Sequence, residues 1–233
     1  MIEVSKQRRA DSRITREKIL SASIHLFSEH GHGGVSMRAI AEAAGVNLAA
    51  MNYHFGSKMQ LFESAFEHCA APINIERLGR LDKLELASHQ PTAREIIRAF
   101  VDVKLMAGDS TRPQMIAQVF AESPTLFRPL LERVFAPTVN RFLMALQKTL
   151  PELDPEELEL RFHFLVGSML HLFRLNTPLR VNAGTSRAGA GTSRVASEQH
   201  KLEALIEFVA AGLCQEQSHT GAPKKSRTVM KKA

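Results

Sequence analysis

No tryptophan, one tyrosine and two cysteines occur in the 233 residues. The cysteines, Cys69 and Cys214, stand far apart in apolar helical patterns, which excludes a disulfide scaffold and a multi-cysteine metal site and leaves buried thiols. No run approaches the roughly 18 uninterrupted apolar residues of a membrane span. The first residues, MIEVSKQRRADSR, are charged and lead into no apolar signal core, so the expectation is a cytoplasmic protein with no membrane partner. Catalytic signatures are missing as well: there is no nucleophile elbow, dinucleotide glycine motif, Walker loop or zinc HExxH pair, and the acids of EELELR read as a solvated helix face. Hence no enzyme, no catalytic residue and no cofactor are expected. Ten histidines invite a metal, but His163 and His171 lie eight positions apart, about two helical turns, too far to share an ion without further ligands. No metal site is expected.

What is present is basic charge at the ends. The formal net charge is +6, and the positive excess sits in residues 1–58 and 218–233 while the middle is near neutral. Such placement suits an N-terminal part that meets phosphate and a middle that packs or holds something apolar. The tail, residues 218–233, has too few apolar residues to build a core and is expected to be a disordered basic end. Residues 183–196 read AGTSRAG then AGTSRVA, a near-tandem duplication of small and polar residues expected to form a flexible loop.

Glycine and proline punctuate apolar residues recurring at three and four, so the fold class is all-α with no convincing strand. The first helix is expected from about Ser12 to His30, with Gly31 ending it. Ser36 caps a short second helix that stops at Gly45, and Asn47 caps a third ending near Phe55. Ser57 caps a fourth, whose pattern loosens beyond Ala71. Helices resume at Thr92, at Arg112 to Glu122 and across Thr125 to Leu150, with Pro129 and Pro137 expected to start or kink pieces of the last. Pro155 opens a helix apolar nearly all round, reaching about Asn176, and the final helix spans about Ser197 to Gln215.

The window VSMRAIAEAAGVNLAAMNYHFGSKMQLF, residues 35–62, carries the functional signal. Two short helices joined by a glycine turn form a helix-turn-helix: Ala41 and Ala44 let the helices cross closely, Val46 and Met51 plug the junction, and the second helix keeps one face free. A major groove is wide enough to admit one such helix. The same window, with FSEHG ending the first helix and the YHFGSK run, resembles the DNA-binding domain of the TetR/AcrR family of bacterial repressors across about residues 13–62.

That resemblance implies an N-terminal three-helix helix-turn-helix domain, residues 1–58 with a basic arm, and a helical ligand-binding and dimerisation domain, residues 59–217. It places the recognition helix at Asn47 to Phe55, with Leu48, Ala49 and Ala50 toward base edges. Ser36, Arg38, Tyr53, His54 and Lys58 are then directed to the DNA backbone, Tyr53 having packing between helices as its alternative. The family more often carries a hydroxyl at position 50 and an aromatic at 52. Ala50 and Asn52 therefore leave Asn47 and Asn52 as the hydrogen-bonding candidates, with methyl contacts from Ala49 or Ala50. Arg8, Arg9, Arg13 and Arg16 form a basic arm or simply a solvated end.

For the ligand side, Phe66, Phe100, Met115, Phe120, Phe142 and Phe164 are candidate walls of an apolar cavity, ordinary core being the alternative for each. NLAAMNYHFGSK, RFHFLVGSM and the basic tail are similar to the fatty-acid-responsive branch of lipid-metabolism repressors. That likeness implies a long-chain fatty acid or acyl-CoA effector, its acidic head met by Lys104, His171 or Arg174. Apolar surface on every side of the helix from Pro155 implies a homodimer, and a twofold protein implies double-stranded DNA with a pseudo-palindromic operator. The rivals are a nonspecific architectural DNA-binding protein and, from a different class, a small-molecule enzyme.

Overall fold

The computed structural model describes residues 2–101, 111–122, 124–174 and 198–214. Lys104, the AGTSR duplication and the basic tail lie outside them, as does the side chain of Arg174. Among the described residues all regular structure is helical: α1 Ile2–His30, α2 Met37–Ala44, α3 Leu48–Phe55, α4 Lys58–Glu85, α5 Ala93–Val101, α6 Thr111–Ala121, α7 Pro124–Thr149, α8 Pro155–Arg174 and α9 Glu198–Cys214. None of these helices is long and apolar enough to cross a membrane.

Three boundaries differ from the sequence expectation. Helix α1 begins at Ile2, ten residues ahead of Ser12. The added turns carry few apolar residues, so hydrophobic periodicity gave no sign of them. Helix α4 continues past Ala71 and through Pro72 to Glu85, because Ile73, Arg77 and Leu81 keep one face buried where the pattern seemed to loosen. Helix α7 runs from Pro124 to Thr149 with Pro129 and Pro137 inside it. Both prolines are exposed, and inter-helix bonds hold the run: Arg141 grips Asp82 and Glu85, Arg133 grips Glu63 and Glu67, and the Asn74 amide donates to the Val134 carbonyl at 2.9 Å.

The helices enclose two apolar cores. The first gathers Ile19, Phe27, Ile40, Met51, Phe55, Phe62 and Phe66 from α1–α4 with Met115, Ile116 and Phe127 from α6 and α7. The second gathers Leu81, Phe100, Phe142, Phe162, Met169, Leu205 and Ile206 from the far end of α4 and from α5 and α7–α9. Helix α4 runs through both. The α5–α9 contact is fixed by Arg98, whose two terminal nitrogens donate to the two carboxylate oxygens of Glu203, each at 2.6 Å.

Candidate DNA-binding helix and effector cavity

Local chemistry sets the α2–α3 unit at each joint. The Ser36 hydroxyl accepts from the Ala39 amide at 3.1 Å and starts α2. Gly45 ends it in the left-handed region at φ 64, where a side chain would be strained, and Val46 closes the turn by donating to the Ala41 carbonyl at 3.0 Å. Asn47 then caps α3, its side-chain oxygen accepting from the Ala50 amide at 2.7 Å. Ser57 and Gln60 form a reciprocal capping box at the start of α4.

Met51 and Phe55 bury one side of α3 against Ile40 and Ala41 of α2. The opposite side is open: Leu48, Ala49, Asn52 and Tyr53 are exposed, Tyr53 at 83%. Ala50 and His54 are half-buried, and the His54 ring meets that of Tyr53 edge to face at 5.2 Å. The free face that a groove-entering helix needs is therefore present, and Tyr53 stands in solvent instead of packing between helices.

The flanking cations divide. Arg13, Arg16 and Arg38 are all exposed, and Arg16 also lies over the Phe55 ring, 5.0 Å from its centroid, tying α1 to the end of α3. Lys58 is half-buried, with its ammonium donating to the Val35 carbonyl at 2.9 Å. Two of its three N–H donors remain for a phosphate. Asn47 has its side-chain oxygen engaged in the cap and keeps its amide donors.

A cavity of about 440 Å³ lies at the seam between the two cores. Its walls are Ile73 and Arg77 of α4, Phe100 of α5, Ile116 and Phe120 of α6, Phe135 and Val139 of α7, and Phe162 and Met169 of α8. Phe100 and Phe120 are thus the expected residues that line it. Phe66, Met115 and Phe142 are buried in the cores and do not, because each packs into a neighbouring helix. Phe164 and His171 do not line it either; both are exposed on α8, and His171 borders a shallow groove between α8 and α9. Sequence reading missed Arg77. A single arginine in a helix reads as a solvated charge, and only tertiary packing shows it buried.

Two of the cavity's helices also hold the helix-turn-helix. Helix α4 begins at the α3–α4 junction, and α6 packs along α1. Just past the end of α6, Glu122 accepts a 2.7 Å hydrogen bond from the His32 backbone N–H, in the turn that follows α1. The His32 ring packs edge to face on Phe62 and Phe127. Burial holds its imidazole below the ordinary range, the Lys58 charge adds to this and Glu122 opposes it.

Comparison with known proteins agrees with this geometry. Residues 19–65 match the family model described as "Bacterial regulatory proteins, tetR family" and residues 94–212 the one described as "Tetracyclin repressor-like, C-terminal domain". The HTH-type transcriptional repressor NicS of Pseudomonas putida is 37% identical over 87 residues, 37% of this chain and 40% of that protein. The IcaR negative regulator of the Staphylococcus aureus biofilm operon is 34% identical over 59 residues, 25% of this chain and 32% of that one. The chain thus spans well under half the length of either curated relative. A TetR-family regulator from Shewanella sp. PV-4 superposes with a TM-score of 0.61 at 18% identity, covering 85% of this chain and 97% of that one. The fatty acid degradation regulator FadR of Bacillus halodurans does so with a TM-score of 0.58 at 19% identity, covering 85% and 94%; likeness at that identity speaks for the fold alone. An outward α3 face, a packed helix-turn-helix and a C-terminal family match over half the chain make this protein a member of the TetR family of bacterial regulatory proteins.

Proposed function

We propose that the chain is a sequence-specific repressor that binds a pseudo-palindromic operator as a homodimer and is released when an apolar effector fills the seam cavity. Residues 1–58 meet the DNA and residues 59–217 hold the effector and the second copy. Leu48, Ala49, Ala50 and Asn52 face the groove. Ser36, Arg38, Tyr53, His54 and Lys58 lie toward the phosphates, and the free amides at the start of α4 favour an anion there.

The observation that carries the reading is the sharing of α4 and α6 between cavity and DNA-facing core. A ligand that separates Ile73 from Ile116 and Phe120 pushes on the two helices that set the angle of α3, so its binding energy shifts the population of α3 orientations. A long-chain fatty acid or acyl-CoA is the preferred effector class: the walls are mainly Phe, Ile, Val and Met, which suits a flexible apolar chain.

For the second copy, α8 exposes Leu160 and Phe164 one turn apart and α9 exposes Phe208. Paired with their twofold mates, these helices would close a four-helix interface.

Selection of bound DNA from random sequence, repeated with oleate, tests the reading. An inverted repeat should emerge and be lost when oleate is present. Lys58→Ala should weaken all sites alike, while Asn52→Ala should change preference at particular positions. Recovery of DNA without an enriched repeat, bound with a steep salt dependence, would mark an architectural binder instead.

A further inference from the structure

The seam cavity has one charged side chain deep in its wall. Arg77 is only 5% exposed. Its Nε donates to the Phe100 carbonyl at 2.8 Å, a terminal nitrogen approaches the Met169 sulfur at 3.5 Å, and its guanidinium carbon lies 4.0 Å from the Phe100 ring centroid. A guanidinium carries five N–H donors in a planar fork. One carbonyl, one weakly accepting sulfur and a ring face leave most of that capacity unused, and no described carboxylate pairs with Arg77.

The acids that border the cavity are engaged elsewhere. Glu132 accepts from Arg128 at 2.7 Å and Glu159 stands 3.8 Å from His163, in pairs that are both solvent-exposed and so mark the mouth. Burial pushes Arg77 down to about 10, and among the described residues the charge adding to that is the like-signed Arg80. A buried cation without a counter-ion is costly, and an anion delivered by a ligand offsets that cost.

We propose that the effector is a free carboxylic acid with an apolar body, its carboxylate paired with the Arg77 guanidinium and its chain lying toward Ile116, Phe120 and Phe135. This rests on the seam cavity being the effector site. It also separates two forms of the same lipid. A fatty acid presents a carboxylate that matches the guanidinium fork, whereas an acyl-CoA thioester brings a neutral carbonyl to this depth and carries its phosphates at the far end.

Calorimetric titration of the full chain with octanoate, decanoate and oleate, and with the matching alcohols, tests the assignment without any variant. At least one acid should bind about tenfold or more tightly than its alcohol. In Arg77→Met that margin should collapse while the alcohol binds as before, and Arg77→Lys should keep part of it. Equal affinities for every acid and alcohol, no binding by any acid, or an undiminished margin in Arg77→Met would overturn the proposal. Operator release is measured separately. Acid that binds through Arg77 without freeing the DNA would defeat the induction reading and leave the acid pocket standing. Release by alcohol as readily as by acid would do the reverse.

Discussion

At the scale of single residues, the structure trades stability for a ligand-ready charge. Lowering the Arg77 pKa from 12.5 to about 10 corresponds to roughly 3.5 kcal/mol against the charged form at neutral pH, at about 1.4 kcal/mol per unit. The hydrogen bond to the Phe100 carbonyl and the contact with the Phe100 ring together return about 2 kcal/mol. The first exceeds the second, so Arg77→Met should make the ligand-free protein more stable by roughly 1 to 2 kcal/mol. Thermal unfolding of the two proteins without ligand checks this, and a variant that melts earlier would show that the charge is compensated. His32 gives the second residue-level prediction. Its folded pKa lies below 6.5, chiefly through burial. The unfolded chain therefore binds the proton more readily, and this residue's contribution to stability is full above 6.5 and lost as the pH falls toward the depressed folded value. His32→Phe keeps the backbone bond to Glu122 and the contacts with Phe62 and Phe127, so its urea midpoint should fall less between pH 7.5 and 5.5 than that of the parent. Identical slopes would place the pH sensitivity elsewhere among the ten histidines.

At the scale of elements, the short turn between α1 and α2 joins the two halves. Gly31 sits at φ 68 with its N–H on the Phe27 carbonyl, and a Cβ there would meet the side chains of Glu122 and Gln118. Gly31→Ala combines a left-handed backbone strain of about 1–3 kcal/mol with displacement of the carboxylate that receives the His32 N–H. The expected result is a loss of about 2 kcal/mol in urea unfolding together with a smaller effect of effector on DNA affinity, since α6 loses its grip on the turn. Unchanged effector response would assign the coupling to α4 alone. How much of this was visible in the sequence follows from the kind of signal involved. Ser36, Gly45, Asn47 and Ser57 fix their turns by local chemistry, so α2, α3 and the start of α4 fall where residue order put them. Helix α4 beyond Ala71 owes its continuation to packing around Arg77 and Leu81, and α7 holds Pro129 and Pro137 through partners on α4. Neither effect has a local signature. The Glu122 bond to His32 spans 90 residues and has none either.

At the scale of the whole molecule, apolar surface left over after folding is the remaining constraint. Leu160, Phe164 and Phe208 are exposed, the two phenylalanines at 62% and 71%, on the helices whose sequence is apolar on too many sides for one protomer to cover. A scattered exposed leucine needs no explanation, but a row along α8 beside Phe208 of α9 does. If this face joins two copies, each α3 reads one half-site and the second contact is made at high effective concentration, so operator affinity depends on the pairing more than on any one base contact. Phe164→Glu tests this at a position that contributes little to either core. The variant should keep its helical content and urea midpoint, sediment as a monomer, and bind a full operator little better than a half-site, whereas the parent should prefer the full operator by about a hundredfold or more. A variant that stays dimeric with its operator preference intact would move the interface off α8 and require a different surface to set the distance between the two α3 helices.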